Sequence, residues 1–239
     1  MSSVRSVVFE TFNKIIEYLL PHPPKKTYNP SNQSLTMLTK SEGKLAVKLA
    51  RQAINECLRE NKKTNPENLP PVFNENRGVF VTLNRKNSEI KELRGCIGRP
   101  YPVMPLKDAI IISAINAARD DPRFTPVTPE ETGGLLIEVT VLTVPERINS
   151  KPEDMPEKVI IGRHGLIISA GMYSGLLLPQ VAVEHGFDST EFLCQTCMKA
   201  GLMPDAWLEG AQVYLFEGQI FEEIEPAGET REKILSDGC

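Results

Sequence analysis

The densest chemical stretch in the 239-residue sequence is Leu93-Arg94-Gly95-Cys96-Ile97-Gly98. A thiol sits between two glycines, with Arg94 just before the first and Arg99 just after the second. Nearby positive charge lowers a cysteine pKa and favours the nucleophilic thiolate. Two glycines within four residues signal an unusual turn or a close approach by another backbone or a ligand, since each carries an entropic cost. On this reading Cys96 is a nucleophile or ligand contact, and Arg94, Gly95 and Gly98 belong to the surrounding site. The same letters also describe a small buried hydrophobe in a strand that ends at a turn, because free cysteine is among the most buried residue types.

A nucleophilic thiol needs a base. The sequence has three histidines, and His164 stands in the glycine-bracketed turn Gly162-Arg163-His164-Gly165. Cysteine–histidine enzymes bring the two side chains together in space, not in sequence. Cys96 and His164 therefore form the candidate catalytic pair. Glu138, Asp120, Asp121, Glu184 and Gln180 are all available to orient the imidazole, and the sequence does not choose among them. A solvated turn residue is the competing reading of His164. Asp120-Asp121-Pro122-Arg123-Phe124 is either a helix stop with solvated charges or a turn that sets Arg119 or Arg123 at an anion site. Arg123 and Arg163 join Arg94 as candidate ligand-binding arginines.

Other chemistry is poorly supported. Cys194-Gln195-Thr196-Cys197 has zinc-like spacing, but a structural zinc needs four ligands and no second pair follows. The pair also lies mid-helix, away from the helix start where the dipole would lower a thiol pKa, so it reads as structural. There is no P-loop, no dinucleotide fingerprint, no HExxH and no EF-hand loop. No cofactor is expected.

The elements that must position these residues follow from pattern. Val4, Val8, Phe12, Ile15, Ile16 and Leu19 give an amphipathic helix over 3–20, stopped by Pro21-His22-Pro23-Pro24. Thr39 and Glu42 form a capping box for a helix burying Leu45, Ala46, Leu49, Ala53 and Cys57. Strands are expected over 78–83 and 93–97. A helix enters at Pro102–Pro105 and ends before Pro122. Leu136 to Val144 is the clearest strand, with Ile137, Val139 and Val141 on a buried face and Glu138 and Thr140 opposite. Residues 158–162 and 165–169 read as a hairpin through Arg163-His164. Helices follow from Pro179 and from Asp188, and 212–216 with 219–222 reads as a hairpin around Glu217-Gly218. The tail from Pro226 is polar and reads as loose. Strands in adjacent, hairpin-spaced pairs favour an α+β fold with a mostly antiparallel sheet and flanking helices.

The formal net charge of −4 argues against a non-specific nucleic-acid binder. Five cysteines without framework spacing suit a reducing compartment. No apolar run approaches the roughly 20 residues that span a bilayer, and Glu10, Lys14 and Glu17 interrupt what would be a signal peptide's apolar core. A cytoplasmic protein without a membrane span is expected.

Taken together, five ordered motifs resemble the AMMECR family. They are Leu93–Gly98, Asp121-Pro122-Arg123-Phe124, Gly162–Leu166, Leu177-Leu178-Pro179-Gln180-Val181-Ala182, and Lys199-Ala200-Gly201-Leu202 with Trp207. The resemblance covers roughly residues 39–225. It divides the chain into an N-terminal helix and linker (1–34), the AMMECR-type domain (35–225) and a polar tail (226–239). It implies two unequal subdomains around a cleft, with the six-residue motif at or near it. It carries no established reaction. It does imply a Memo-like protein partner, because relatives are fused to or encoded beside such proteins and radical-SAM enzymes. The expected function is binding of an anionic small-molecule or macromolecular ligand beside Leu93–Gly98, with Cys-dependent catalysis as its enzymatic form. The alternative is a non-enzymatic module docking a protein or RNA. The N-terminal helix docks on its own domain or makes a homodimer.

Overall fold

A computed structural model describes residues 37–87 and 90–235. The expected helix at 3–20, its linker and residues 236–239 lie outside the described residues. The chain divides into two compact units. One comprises Thr36–Leu142 with Gln219–Ile234; the other centres on Thr143–Gly218. The fold is α+β with antiparallel strand pairing, as the strand spacing predicts.

In the first unit, α1 (Lys40–Glu60) starts where the capping box places it. Thr39 Oγ1 accepts from the Glu42 N–H, and the Glu42 carboxylate accepts from the Thr39 N–H. Ala46, Leu49, Ala50 and Ala53 are buried along one face. Cys57, expected in the core, is only half-buried and meets the Arg119 guanidinium at 3.7 Å. β1 (Gly78–Asn87) and β2 (Ile90–Arg99) form an antiparallel pair. Leu83 faces Gly95 and Asn84 faces Leu93, so Arg94 is the extra residue of a bulge. Bulges re-aim a side chain and bend the strand, and this one sends Arg94 inward. α2 (Leu106–Arg119) packs on α1, β1 and β2.

β3 (Leu135–Leu142) lies on the other side of β1. The second part of β7 (Gln212–Glu223) lies next to β3, and β8 (Thr230–Lys233) pairs with β7 at its outer side. The tail expected to be loose therefore contributes a strand. Its Arg231 meets a buried carboxylate, Glu222, at 2.7 Å, and hydrogen bonding plus charge neutralisation hold it there.

The second unit holds β4 (Glu146–Arg147), β5 (His164–Ala170), β6 (Tyr173–Leu177) and the first part of β7. α3 (Pro179–His185) and α4 (Ser189–Lys199) complete it, and Asp188 and Glu191 cap α4 reciprocally. Leu166, Ile168, Phe192, Leu193, Cys197 and Trp207 share its core, so Cys197 is a packing residue.

Two expected hairpins are not formed. Residues 161–163 form a turn, because the Ile160 carbonyl accepts from the N–H groups of both Arg163 and His164 and Gly162 takes a φ of 81°. β5 instead turns back into β6 at Gly171-Met172. Glu217-Gly218 is not a turn either. The Glu217 N–H donates to Thr143 Oγ1 at 2.8 Å and its carbonyl accepts from the Thr143 N–H at 2.9 Å, which holds β7 extended through that point.

Candidate functional site

Burial of β3 changes the reading of the sheet. Val81 and Ile97 share one side with Val139, which was expected on the buried face. Cys96, Thr82 and Glu138 face one another directly across β2, β1 and β3, and residues directly opposite project to the same side of a sheet. Alternation in β3 implied that Glu138 and Thr140 are solvated. They are 7% and 1% exposed. Every residue of β3 is buried, so the periodicity identified a covered face and mistook the second for an open one.

Cys96 Sγ lies 3.1 Å from Thr82 Oγ1. The thiol keeps some solvent contact yet is densely surrounded by protein. Burial pushes it up to about 11, against the pull of the Thr82 hydrogen bond and Arg123, while Glu138 and Asp121 add to the rise. The sequence neighbours Arg94 and Arg99 were expected to lower it; the arginine that pulls it down is Arg123, and burial outweighs that pull. Arg123 and Arg94 are each committed to a carboxylate. Arg123 Nε and Nη2 donate to Asp121 at 2.9 and 2.7 Å, and both side chains are almost fully buried. Arg94 donates twice to Glu131 at 3.1 Å. That pairing, with help from the Thr128 backbone and Arg85, holds the Glu131 carboxyl down to about 2 against burial.

Asp121 does more than neutralise Arg123. Its Oδ2 accepts from the Cys96 N–H at 2.8 Å, and Arg123 Nη2 reaches the Cys96 carbonyl at 3.4 Å. Phe124 stacks under both guanidinium groups, at 4.9 Å from Arg123 and 5.9 Å from Arg94. Leu93–Gly98 and Asp121–Phe124 are thus one assembly. Its glycines are packing positions. A Cβ on Gly95 would lie 2.1 Å from the Ala117 carbonyl oxygen, and one on Gly98 would lie 2.2 Å from the Phe80 ring.

Glu138 continues the row from Thr82. Burial raises its pKa, Lys233 at 3.5 Å opposes that, and nearby Glu222 reinforces it. Burial also pushes Glu222 upward. Lys91 at 2.5 Å and Arg231 at 2.7 Å more than reverse this, and it sits below the ordinary carboxylate range. Lys91 and Lys233 remain partly exposed. Thr82, Lys91, Glu222 and Lys233 were absent from the candidate set. The sequence signals for the row were Cys96 and Glu138, the latter an acid inside a mostly apolar strand.

His164 lies in the other unit, at the start of β5. Its Nδ1 accepts from the Ile160 N–H at 3.0 Å. The neutral ring therefore carries its proton on Nε2. Burial lowers its pKa, Glu217 opposes that, Arg163 adds to it, and the Lys158 backbone favours the protonated form. Arg163 pairs with Glu217 at 2.8 Å near the surface. No group of three or more potential metal ligands occurs among the described residues. No described helix is long and apolar enough to cross a membrane.

The chain is similar to other proteins over most of its length. A protein of Methanosarcina acetivorans is 58% identical over 201 residues, covering 82% of this chain and 99% of that one. One of Methanocaldococcus jannaschii is 53% identical over 203 residues, covering 84% and 100%. The crystal structure of an uncharacterised protein from Pyrococcus horikoshii matches with a TM-score of 0.79 at 51% identity, over 83% of this chain and 99% of that one. The AMMECR1 family model matches residues 47–221, and the chain belongs to the AMMECR1 family.

Proposed function

We propose that the protein binds a ligand carrying an anionic group at the row formed by Cys96, Thr82 and Glu138, with Lys91 and Lys233 supplying the positive charge. The observation behind this reading is the placement of ionisable groups in the middle of a sheet. A buried carboxylate costs stability unless paired and hydrogen-bonded, and strongly perturbed groups cluster at functional sites. The opposite side of the same strands is apolar, so the fold itself does not require Glu138 there.

The thiol's part in this reading is a neutral hydrogen-bonding contact. With a pKa of about 11 it is almost entirely protonated at neutral pH. A binding role needs neither a thiolate nor a base, so His164 is not required. Arg123 shapes the site with Asp121 by holding the backbone at Cys96, and acts as a positioning residue; Arg94 is anchored to Glu131 beside it.

Thermal unfolding in the presence of organic anions tests the proposal. A ligand that binds the native state raises apparent stability, by about 2.7 kcal/mol at one hundred times Kd. The expected result is a stabilising anion whose shift shrinks in Glu138→Gln, Cys96→Ser and Lys233→Ala. A shift identical in all three variants would reject the row as the site.

A further inference from the structure

The second unit contains a cavity of about 380 Å³ that the row described above does not touch. All the residues that line it belong to that unit. The volume falls within the range of small-ligand sites, about 300–1,000 Å³. One wall is apolar, made by Ile148, Leu215 and Phe216. The Phe216 ring is set in place by Gly165, where any Cβ would lie 2.2 Å from it. Ile148 is 8% exposed, and its N–H donates to the Val213 carbonyl, so this wall is built into the sheet.

The charged residues around the cavity are unequally committed. Glu217 is engaged by Arg163. Arg147 and Lys158 have no ion-pair partner among the described residues, and neither has Glu146. Setting the Arg163–Glu217 pair aside leaves two positive groups and one negative group, an excess of one positive charge. An arginine fork matches a carboxylate bidentately, and a lysine adds a second, adaptable point charge.

We propose that this cavity binds a small organic monoanion with an apolar body, its anionic group on Arg147 and Lys158 and its body against Ile148, Leu215 and Phe216. Glu146 sets the limit on charge, since a dianion would gain from the two cations and lose against the carboxylate. This site is independent of the row at Cys96.

Titration of the methyl-labelled full-length protein with benzoate, phenyl phosphate and benzyl alcohol at pH 7.5 tests the assignment. Benzoate should shift the Ile148 and Leu215 methyl resonances saturably, with a Kd below about 10 mM. Hydrogen bonds to charged groups hold the carboxylate, so the double variant Arg147→Ala, Lys158→Ala should bind benzoate at least roughly tenfold more weakly. Benzyl alcohol should bind more weakly than benzoate, and Gly133→Ala, in the other unit, should leave benzoate binding unchanged. Unshifted methyl resonances elsewhere establish that the double variant is folded. The proposal is overturned by any of three results: no saturable shift at Ile148 and Leu215, equal affinity for benzyl alcohol or in the double variant, or tighter binding of phenyl phosphate than of benzoate.

Discussion

Arg123 and Arg163 each stand in a turn that the sequence marks as a candidate anion site, yet the two units use them differently. Arg123 is almost fully buried against Asp121, which also receives the Cys96 N–H. Arg163 is 58% exposed and meets Glu217 near the surface. A buried guanidinium cannot lose its counterion without leaving an unpaired charge, whereas an exposed one falls back on water. The first arrangement fixes a backbone and the second decorates a turn. Residue type and spacing alone do not separate them; burial does.

That contrast predicts the largest difference in stability. Asp121→Ala should cost about 3–5 kcal/mol, because it strands the buried Arg123 and leaves the Cys96 N–H without its acceptor. Glu217→Ala should cost less than about 1 kcal/mol, the scale of surface pairs. Urea unfolding of both variants measures this, and equal costs would erase the distinction. Next in size, Gly95→Ala should destabilise by about 1–3 kcal/mol, as overpacking does, because the Ala117 carbonyl has nowhere to move. Gly133→Ala, with nothing within 4 Å of a new Cβ, should stay within about 0.5 kcal/mol.

The smaller effects concern pH. Glu131 is held down to about 2, well below the ordinary value of roughly 4.3. Its stabilising contribution is complete above the unfolded pKa and is lost as pH falls from about 4.3 through 2. Glu131→Gln should flatten the acid limb in that window. His164 also has a lowered pKa. The unfolded imidazole takes up its proton first as pH drops below roughly 6.5, so stability declines from there until the folded ring is also protonated. Protonation additionally turns Nδ1 from acceptor to donor and breaks the bond from Ile160. His164→Gln should remove this shallow decline from a plot of Tm against pH, while the Glu131 limb stays intact.

Much of the architecture was legible in local pattern. Thr39 with Glu42, and Asp188 with Glu191, announced helix starts through short-range hydrogen bonds that any chain of that sequence can make. What was not legible was long-range. The bond from Cys96 to Asp121 spans 25 residues, and that from Leu38 to Gln219 spans 181. Glu217-Gly218 resembled a turn, and Thr143 on one side and His164 of β5 on the other hold it extended. Thr230–Lys233 looked like tail and became a strand because the buried Glu222 needed Arg231. Alternation in β3 showed which side is apolar, but not that the polar side is covered as well. The candidate site was visible as Cys96 and Glu138. Their alignment through Thr82 depends on register across three strands.

Binding at the row requires Cys96 to be a neutral thiol rather than an activated one. Alkylation by iodoacetamide, followed peptide by peptide in the native protein across pH 6 to 12, reads that state directly and separates Cys96 from the other four cysteines. A buried, neutral thiol gives a Cys96 rate that rises with an inflection near 11. An inflection at or below the free-thiol value of about 8.5 would contradict it and restore the nucleophile.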